Sequence, residues 1–162
     1  GIAGELGHVQ VVEGPGGERC GCGRTGCVEA YVGGRYLEAR AAAGDPDGPP
    51  RKCGDIEAAY MAGEGWAVAL WEEAADRLAQ ALTTAIQILD PEVVVLGGGA
   101  IDAAPSYRAL ALDALRRRCP TEMLTSVEVR PSTLGGLAGS IGAALLARDR
   151  AGGSGLYGGE RS

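Results

Sequence analysis

Three cysteines and one histidine near the start of the chain have the residue types and spacing that a zinc ion requires. Cys20, Cys22 and Cys27 lie in the segment C-G-C-G-R-T-G-C-V-E (20–29), and His8, upstream of them, is the one histidine of the sequence. A structural zinc takes four nitrogen or sulfur donors in a tetrahedron, at about 2.0–2.3 Å from the metal. Glycines between the thiols permit the tight, positive-φ turn that would bring them together. We therefore predict one structural zinc site, with the ligands His8, Cys20, Cys22 and Cys27.

Two other interpretations of the cysteines stay open. Cys20 and Cys27 could form a disulfide, or the segment could be a glycine-rich surface loop with incidental cysteines. A disulfide leaves one cysteine of the cluster over, and Cys53 and Cys119 stand alone in the sequence. An odd, uneven set of cysteines is typical of an intracellular metal protein and not of a secreted disulfide scaffold. The cysteine usage therefore favours the metal site and predicts a cytoplasmic location.

Two glutamates flank the predicted metal ligands. Glu5 lies three residues before His8, and Glu29 lies two residues after Cys27. An ionised carboxylate accepts hydrogen bonds only, and its two oxygens can accept from two hydroxyl groups at once. Carboxylates held beside a metal-bound loop could therefore bind the hydroxyls of a sugar. The alternative is that both glutamates are exposed surface charges.

A triple glycine, residues 97–99, follows a run of β-branched and aliphatic residues, E-V-V-V-L (92–96). Such a run is typical of a buried strand, and open α/β sheets bind ligands at the carboxyl ends of their strands. Without Cβ atoms, Gly97, Gly98 and Gly99 could let a nucleotide lie against the backbone. The alternative is a tight connection to the next helix. The segment does not match a Walker A loop, because no G-K-[ST] follows.

A second glycine-rich segment lies near the end of the chain, at residues 134–144. Its glycines and alanines leave one face of a predicted helix almost without side-chain bulk. Close packing of another element is one explanation, and a flat ligand such as adenine is the other.

Length, composition and charge set limits on the class of protein. A chain of 162 residues can form one domain with its own core. The net charge of −6 argues against nucleic-acid binding by this segment, which requires a positive surface. No apolar run approaches the roughly 20 residues of a membrane span. The sequence begins with glycine and has no methionine near its start, so we interpret it as a fragment.

Hydrophobic periodicity predicts an α/β fold. Helices are predicted at 28–43, at 55–61 with Asp55 as its cap, at 66–89 and at 106–118 with Ser106 as its cap, and residues 134–147 are predicted to be a loop that enters a helix. The strongest is 66–89, in which Leu70, Leu82 and Ile86 share one face and Asp90-Pro91 provides the stop. Strands are predicted at 8–12, 92–96 and 126–130, the second covered on both faces. Residues 151–162 are predicted to be a disordered tail.

Four motifs in this order resemble the ROK family (repressors, open reading frames and sugar kinases), and in particular its bacterial glucokinases. They are A-G-E-L-G-H (3–8), C-G-C-G-R-T-G-C-V-E (20–29), D-P-E-V-V-V-L-G-G-G (90–99) and L-G-G-L-A-G-S-I-G-A-A (134–144). The resemblance implies an actin/hexokinase-like (ribonuclease H-like) ATPase fold, of which residues 1–150 would form the C-terminal lobe. It also implies transfer of the ATP γ-phosphoryl group, with Mg²⁺, to a hexose such as glucose.

The family pattern assigns a role to each candidate site residue. Zinc would be held by the histidine and three cysteines of the knuckle at 8–29, and the sugar would face Glu5, His8 and Glu29. The nucleotide would lie by Gly97–Gly99, with 134–144 on the same side. Metal on one ring nitrogen of His8 would fix the other as a donor.

Two parts of the family's kinases have no match in this sequence: the D-x-G-G-T phosphate loop and the aspartate that accepts the proton of the sugar hydroxyl. Both belong to an N-terminal lobe that is absent here, so we assign no catalytic base and predict that the chain alone is inactive. The alternatives to a glucokinase half are the effector domain of a sugar-responsive ROK repressor and a zinc-stabilised assembly module. A homodimer or homotetramer is expected.

Overall fold

The long amphipathic helix predicted after Gly65 lies at the centre of the fold. The computed structural model describes residues 4–44 and 48–151, without the side chain of Thr125. The helices are α1 (Glu29–Val32), α2 (Gly34–Ala43), α3 (Cys53–Met61), α4 (Gly65–Leu89), α5 (Gly99–Ala103), α6 (Pro105–Arg118), α7 (Thr121–Ser126) and α8 (Ala138–Ala151); the strands are β1 (Val93–Leu96) and β2 (Glu128–Pro131). Short 3-10 helices span Leu6–His8 and Gly135–Leu137.

Helix α4 packs chiefly against α6, and two aromatic rings mark the centre of their contact. Trp71 and Tyr107 are fully buried and stack with ring centroids 5.0 Å apart. Glu57 of α3 joins all three helices, because one carboxylate oxygen accepts from the Trp71 indole N–H and the other from the backbone N–H of Ser106. The predicted apolar face of α4 is confirmed, with Leu70, Leu82 and Ile86 buried.

The predicted end of α4 is also confirmed. The helix ends at Leu89, and Asp90 takes a left-handed conformation at φ 44°. Its backbone N–H still donates to the carbonyl oxygen of Ile86, which satisfies one of the helix's last acceptors. The following Pro91 disfavours the helical conformation for Asp90, so the chain leaves the helix here.

The single helix predicted over 28–43 is in fact two helices, because Gly33 divides it into α1 and α2. Gly33 is extended, at φ −71° and ψ 131°. A Cβ atom at this position would lie 2.8 Å from the carbonyl oxygen of Glu29, so the break requires glycine. The break lets the chain change direction between the cysteine segment and α2.

Two predicted helix caps lie one or more residues inside their helices. Helix α3 begins at Cys53, and Asp55 occupies its third position, where its carboxylate accepts from the backbone N–H of Lys52. Helix α6 begins at Pro105, which suits the first helical position because its missing N–H would have no partner there. Ser106 therefore does not cap α6.

The two strands form a parallel pair in the register Val93↔Glu128 to Leu96↔Pro131, with α5, α6 and α7 between them along the chain. This confirms the α/β character. The prediction that β1 is covered on both faces is wrong in this chain, since the side chain of Val95 is 61% exposed. Strand β2 begins two residues later than predicted, because Ser126 is the last residue of α7.

The loop and helix predicted over 134–147 are confirmed as a 3-10 turn followed by α8. Helix α8 continues to Ala151, which the prediction placed in the tail, and residues 152–162 lie outside the described part of the chain. None of the residues of α8 is buried. Among the described residues, no helix combines the length and the apolar character that crossing a membrane requires.

Candidate functional site

The segment that carries His8 lies directly beside the cysteine segment. The strand predicted at 8–12 does not form; a 3-10 helix ends at His8, and Gln10 makes an isolated antiparallel bridge with Cys27. Backbone hydrogen bonds run from Val11 to Gly26 (2.8 Å) and from Val28 to Val9 (2.9 Å). They fix the position of the histidine against the last of the three cysteines.

Glycine is obligatory at position 26, where the two segments touch. Gly26 has a φ of 76°, and a Cβ atom on it would lie 1.8 Å from the carbonyl oxygen of Val12. No side chain could adopt that position without separating the segments. Gly26 therefore marks a close backbone contact between the two segments.

A tight turn between Cys20 and Arg24 brings the first two cysteines together. The backbone N–H of Cys20 donates to the Arg24 carbonyl oxygen (2.8 Å), and the N–H of Gly23 donates back to the carbonyl oxygen of Cys20 (3.0 Å). Gly23 has a φ of 90°, the left-handed region that favours glycine. The turn has the form that the C-G-C-G spacing predicts.

All four predicted metal ligands converge. One donor atom from each of them lies within 4.8 Å of every other; the residues are His8, Cys20, Cys22 and Cys27. The Sγ atom of Cys20 is 3.6 Å from Nδ1 of His8, and the Sγ atoms of Cys22 and Cys27 are 3.7 Å apart. A tetrahedral zinc with ordinary bond lengths would separate nitrogen from sulfur by about 3.6 Å and sulfur from sulfur by about 3.8 Å. The donor set therefore fits a zinc ion without rearrangement of these two pairs.

No disulfide joins the described cysteines, and burial differs among the three thiols of the cluster. Cys20 and Cys27 are buried and Cys22 is exposed. Two hydrogen bonds from Arg24 lower the pKa of Cys22 to about 6. The larger effect comes from the backbone of Arg24 and the smaller from its guanidinium group. Burial raises the pKa of Cys27 to about 11. Arg24 also donates to the His8 carbonyl oxygen (2.7 Å), so it ties the turn to the histidine segment.

The two ring nitrogens of His8 face different partners. Nδ1 points to the cysteines and also lies 3.5 Å from Oε2 of Glu29, whereas Nε2 lies 3.8 Å from Oε2 of Glu5. The histidine and Glu29 side chains are about one-third exposed, and that of Glu5 is largely exposed. The structure thus brings the three predicted sugar-binding residues together at the open side of the metal cluster.

Sequence reasoning missed Arg35 and Tyr36, which contact this site from the start of α2. Arg35 Nη2 donates to Oε1 of Glu29 (3.1 Å), and the Tyr36 hydroxyl accepts from the backbone N–H of Gly21 (2.6 Å). No rule of sequence spacing links these two residues to the cysteines. They reach the site because the chain changes direction at Gly33, just before α2. The sequence feature that could have drawn attention to them is an arginine followed by an aromatic residue directly after a G-G pair, G-G-R-Y at 33–36.

The triple glycine lies at the carboxyl end of β1, as predicted, beside a cavity of about 310 Å³ that also reaches Gly33 and Gly34. Two of the three glycines have local explanations. A Cβ atom at Gly97 would lie 2.6 Å from Cβ of Ser132, and Gly98 has a φ of 122°. A Cβ atom at Gly99 would meet no atom within 4 Å, so local packing does not explain the third glycine. Its nucleotide-binding role stays a prediction.

The glycines of α8, and Gly136 of the turn before it, have no close neighbour among the described residues. A Cβ atom at Gly136, Gly139 or Gly142 would meet nothing within 4 Å. Of the two explanations offered by the sequence, close packing is therefore not realised among the described residues. The surface stays open to a ligand or to another part of a larger protein.

Comparison with known proteins identifies the family. A family model described as the ROK family matches residues 1–150. The chain belongs to the ROK family. The family resemblance that the motifs carried is confirmed, and with it the actin/hexokinase-like fold of ROK sugar kinases.

Curated ROK relatives of this chain include sugar kinases of more than one specificity. Glucokinase of Streptomyces coelicolor is 33% identical over 171 residues, which cover 92% of this chain and 51% of the relative. N-acetylmannosamine kinase of Haemophilus influenzae is 31% identical over 149 residues, which cover 92% of this chain and 47% of the relative. The chain thus spans about half the length of the curated relatives it matches.

Solved ROK structures show the same fold. The ROK hexokinase from Thermus thermophilus has a TM-score of 0.76 at 37% identity, over 90% of this chain and 47% of that one. A ROK glucokinase from Streptomyces griseus, solved with glucose and AMPPNP, has a TM-score of 0.69 at 33% identity, over 91% and 52%. A ROK transcriptional regulator, a homologue of the E. coli MLC protein, has a TM-score of 0.64 at 26% identity, over 80% and 34%.

Proposed function

We propose that this chain is the C-terminal half of an ATP-dependent hexose kinase, with glucose as the substrate and glucose 6-phosphate and ADP as the products. The kinases among its relatives support the reaction class, and the glucokinases among them support the sugar. In this proposal the chain contributes a structural zinc, the sugar-binding side chains and part of the nucleotide pocket. Mg²⁺ would accompany ATP.

The single observation that carries the proposal is the orientation of His8. Its Nδ1 atom lies among the thiols, so a zinc ion held by His8, Cys20, Cys22 and Cys27 would leave Nε2 protonated and directed toward Glu5. The site would then present one fixed hydrogen-bond donor, Nε2, next to the Glu5 carboxylate, with the Glu29 carboxylate on the Nδ1 side of the same ring. Hydroxyl groups of a hexose both donate and accept, so they can pair with such a donor and with the carboxylate acceptors.

The proposed division of labour leaves the chemical step to residues outside this chain. Glu5, His8 and Glu29 would bind and orient the sugar, and Gly97–Gly99 would lie beside the nucleotide. Phosphoryl transfer also requires a base near the attacking hydroxyl and metal-assisted charge neutralisation at the phosphates. We assign neither role to a residue described here, so the chain by itself should not phosphorylate glucose.

The test uses Glu29→Gln in a full-length protein that contains this chain. The change keeps the shape of the side chain and removes its charge, and it replaces one acceptor oxygen with a donor. We expect the KM for glucose to rise about tenfold or more, because hydrogen bonds to a charged group are lost, while the KM for ATP stays within about twofold. Steady-state kinetics with each substrate varied in turn would measure both values. An unchanged glucose KM would remove Glu29 from the sugar site.

A second candidate function is the effector domain of a sugar-responsive repressor, favoured by the fold shared with a ROK transcriptional regulator. Such a protein would bind the sugar through the same side chains without turning over ATP. Calorimetric titration of the full-length protein separates the two. Heat on addition of glucose and of the ATP analogue AMPPNP supports the kinase, heat with glucose alone supports the repressor, and heat with neither supports an assembly module.

A further inference from the structure

The guanidinium group of Arg35 lies against the outer oxygen of Glu29. Its Nη2 atom donates to Oε1 of Glu29 at 3.1 Å, whereas Oε2 of the same carboxylate faces Nδ1 of His8 at 3.5 Å. The two oxygens of Glu29 therefore have different partners. The ion pair fixes the rotation of the carboxylate about its last bond, which is otherwise soft.

Tyr36 holds the arginine in place and connects it to the cysteine turn. Its hydroxyl accepts from Arg35 Nη2 at 2.9 Å and from the backbone N–H of Gly21 at 2.6 Å. The guanidinium carbon also lies 4.6 Å from the centre of the Tyr36 ring, within the range of a cation–π contact. A Cβ atom at Gly21 would lie 3.0 Å from Nη2 of Arg35 and 3.0 Å from the Tyr36 hydroxyl, so the two side chains lie directly against the turn between the first two candidate metal ligands.

The negative charge around the predicted metal site explains why Glu29 needs a cation such as Arg35 beside it. A zinc ion with three thiolates carries a net charge of about −1, and Glu29 and Glu5 add two more negative charges beside it. Oε2 of Glu29 lies only 4.0 Å from the Sγ atom of Cys20. Without a cation on its other side, Glu29 would be repelled from the cluster and would turn toward solvent.

We propose that Arg35 is a positioning residue that holds the Glu29 carboxylate in its sugar-binding orientation, with Tyr36 as the support that couples it to the cysteine turn. The inference rests on the proposed function, because it assumes that Glu29 binds the sugar. Arg35 touches neither the predicted metal nor, in this proposal, the reacting atoms. It acts through the carboxylate.

An exposed position makes a purely stabilising role for Arg35 inadequate as an explanation. Its side chain is 68% exposed, and ion pairs of that kind contribute little to folding. The pair Arg116–Asp113 on α6 is similarly exposed, at 67% for the arginine, and its N–O distance is 2.6 Å. Arg116→Ala is therefore a matched control that removes an exposed ion pair outside the proposed site.

The experiment compares Arg35→Ala, Arg35→Lys and Arg116→Ala in the full-length protein. We expect Arg35→Ala to raise the KM for glucose about three- to tenfold, with kcat and the KM for ATP within about twofold, because only sugar orientation is weakened. Arg35→Lys should restore part of the effect, since it keeps the charge but not the fork of donors. Arg116→Ala should match the parent protein. Zinc content and melting temperature should be the same in all four proteins.

The possible outcomes separate this inference from the proposed function. If Glu29→Gln raises the glucose KM and Arg35→Ala leaves it unchanged, the positioning role is wrong and the kinase proposal stands. If Arg35→Ala lowers the zinc content or the melting temperature, the arginine is a structural residue and the inference is equally overturned. If the parent protein phosphorylates no hexose and binds no glucose, both proposals fall together.

Tyr36→Phe supplies an independent measurement. The change keeps the aromatic ring beneath the guanidinium group and removes the hydroxyl that bonds Gly21 and Arg35. We expect a smaller rise in glucose KM than for Arg35→Ala, together with faster exchange of the Gly21 amide hydrogen. Unchanged amide exchange would disprove the coupling between Tyr36 and the cysteine turn.

Discussion

The cysteine segment and the glycine-rich end of the chain differ in how much of their packing the chain itself supplies. Around the cysteines, Cys27 and Tyr31 are almost completely buried, and the Tyr31 hydroxyl accepts from the backbone N–H of Glu18. In α8, by contrast, no residue is buried, and Ile141, Leu145 and Leu146 are among the exposed large apolar side chains. The cysteine segment is packed by residues of this chain, whereas the surface of α8 is left open by the part of the chain that the structure describes.

A network of charges fastens the cysteine segment to the central helix. The guanidinium groups of Arg40 and Arg77 lie 5.7 and 5.6 Å from the Tyr31 ring centre. Arg40 also pairs with Glu18 of the loop and with Glu73 of α4. The loop that holds the candidate metal ligands is thus part of the core on one side, whereas α8 contacts little beyond the turn that precedes it.

The difference in packing between the cysteine segment and α8 indicates which of them depends on further polypeptide. All four candidate metal ligands lie in this chain and converge, so we expect metal binding to be measurable without any further polypeptide. Exposed apolar surfaces as extensive as those of α8 and β1 are typical of interfaces. Because the chain spans about half the length of the relatives it matches, we expect the remainder of a full-length protein to cover them.

The largest expected effect comes from removing a buried thiol of the metal site. Cys27→Ser should reduce the zinc content from about one per chain to well below that value and unfold the loop, since structural zinc contributes about 10 kcal/mol or more to such a fold. Elemental analysis together with circular dichroism would measure both effects.

Cys119→Ser is the control for that change. Cys119 is equally buried, at 5% exposure, but it follows α6 and takes no part in the cluster. Its substitution should leave the zinc content unchanged. Equal metal loss in both variants, or a Cys27→Ser protein that retains its metal, would contradict the ligand assignment.

The next effect tests whether the close contact at Gly26 shapes the metal site. Gly26→Ala should destabilise the loop by about 2 kcal/mol or more, because it combines a positive φ with a Cβ that collides with the Val12 carbonyl oxygen. The variant should lose zinc to a chelator faster than the parent protein. Gly16→Ala, in the same loop but with open space around it, should not. Equal rates of zinc loss in the two variants would show that the contact does not matter.

How far the sequence could predict these features depends on the range of the interactions involved. The four metal ligands could be found because three of them lie within eight residues and the fourth was the one imidazole available. Helix α4 could be found because its apolar side chains repeat over several turns. Both the cysteine spacing and the helical repeat are patterns among residues that are close in sequence.

What could not be predicted depends on contacts between distant segments. The break at Gly33 requires glycine because the carbonyl oxygen of Glu29 occupies the space of a Cβ, and the segment at 8–12 pairs with a loop in place of a strand. Arg35 was missed because its role follows from that break. The exposure of β1 could not be anticipated because a β-branched run indicates burial in a whole sheet, and the described residues form two strands of one.

The smallest expected effect is the change in stability caused by Gly142→Ala in α8. It bears most directly on the comparison of α8 with the cysteine segment, because its sign should depend on what covers α8. A Cβ at Gly142 would meet no atom of the described residues within 4 Å, so in this chain Gly142→Ala should stabilise the helix by up to about 1 kcal/mol through helix propensity. In a full-length protein, where we expect another element to pack against the small residues, the same methyl group should collide and destabilise by about 1–3 kcal/mol. Thermal unfolding of both proteins would measure the two signs. Stabilisation in both would mean that the face of α8 stays open in the larger protein, and the ligand explanation of its small residues would then be the stronger one.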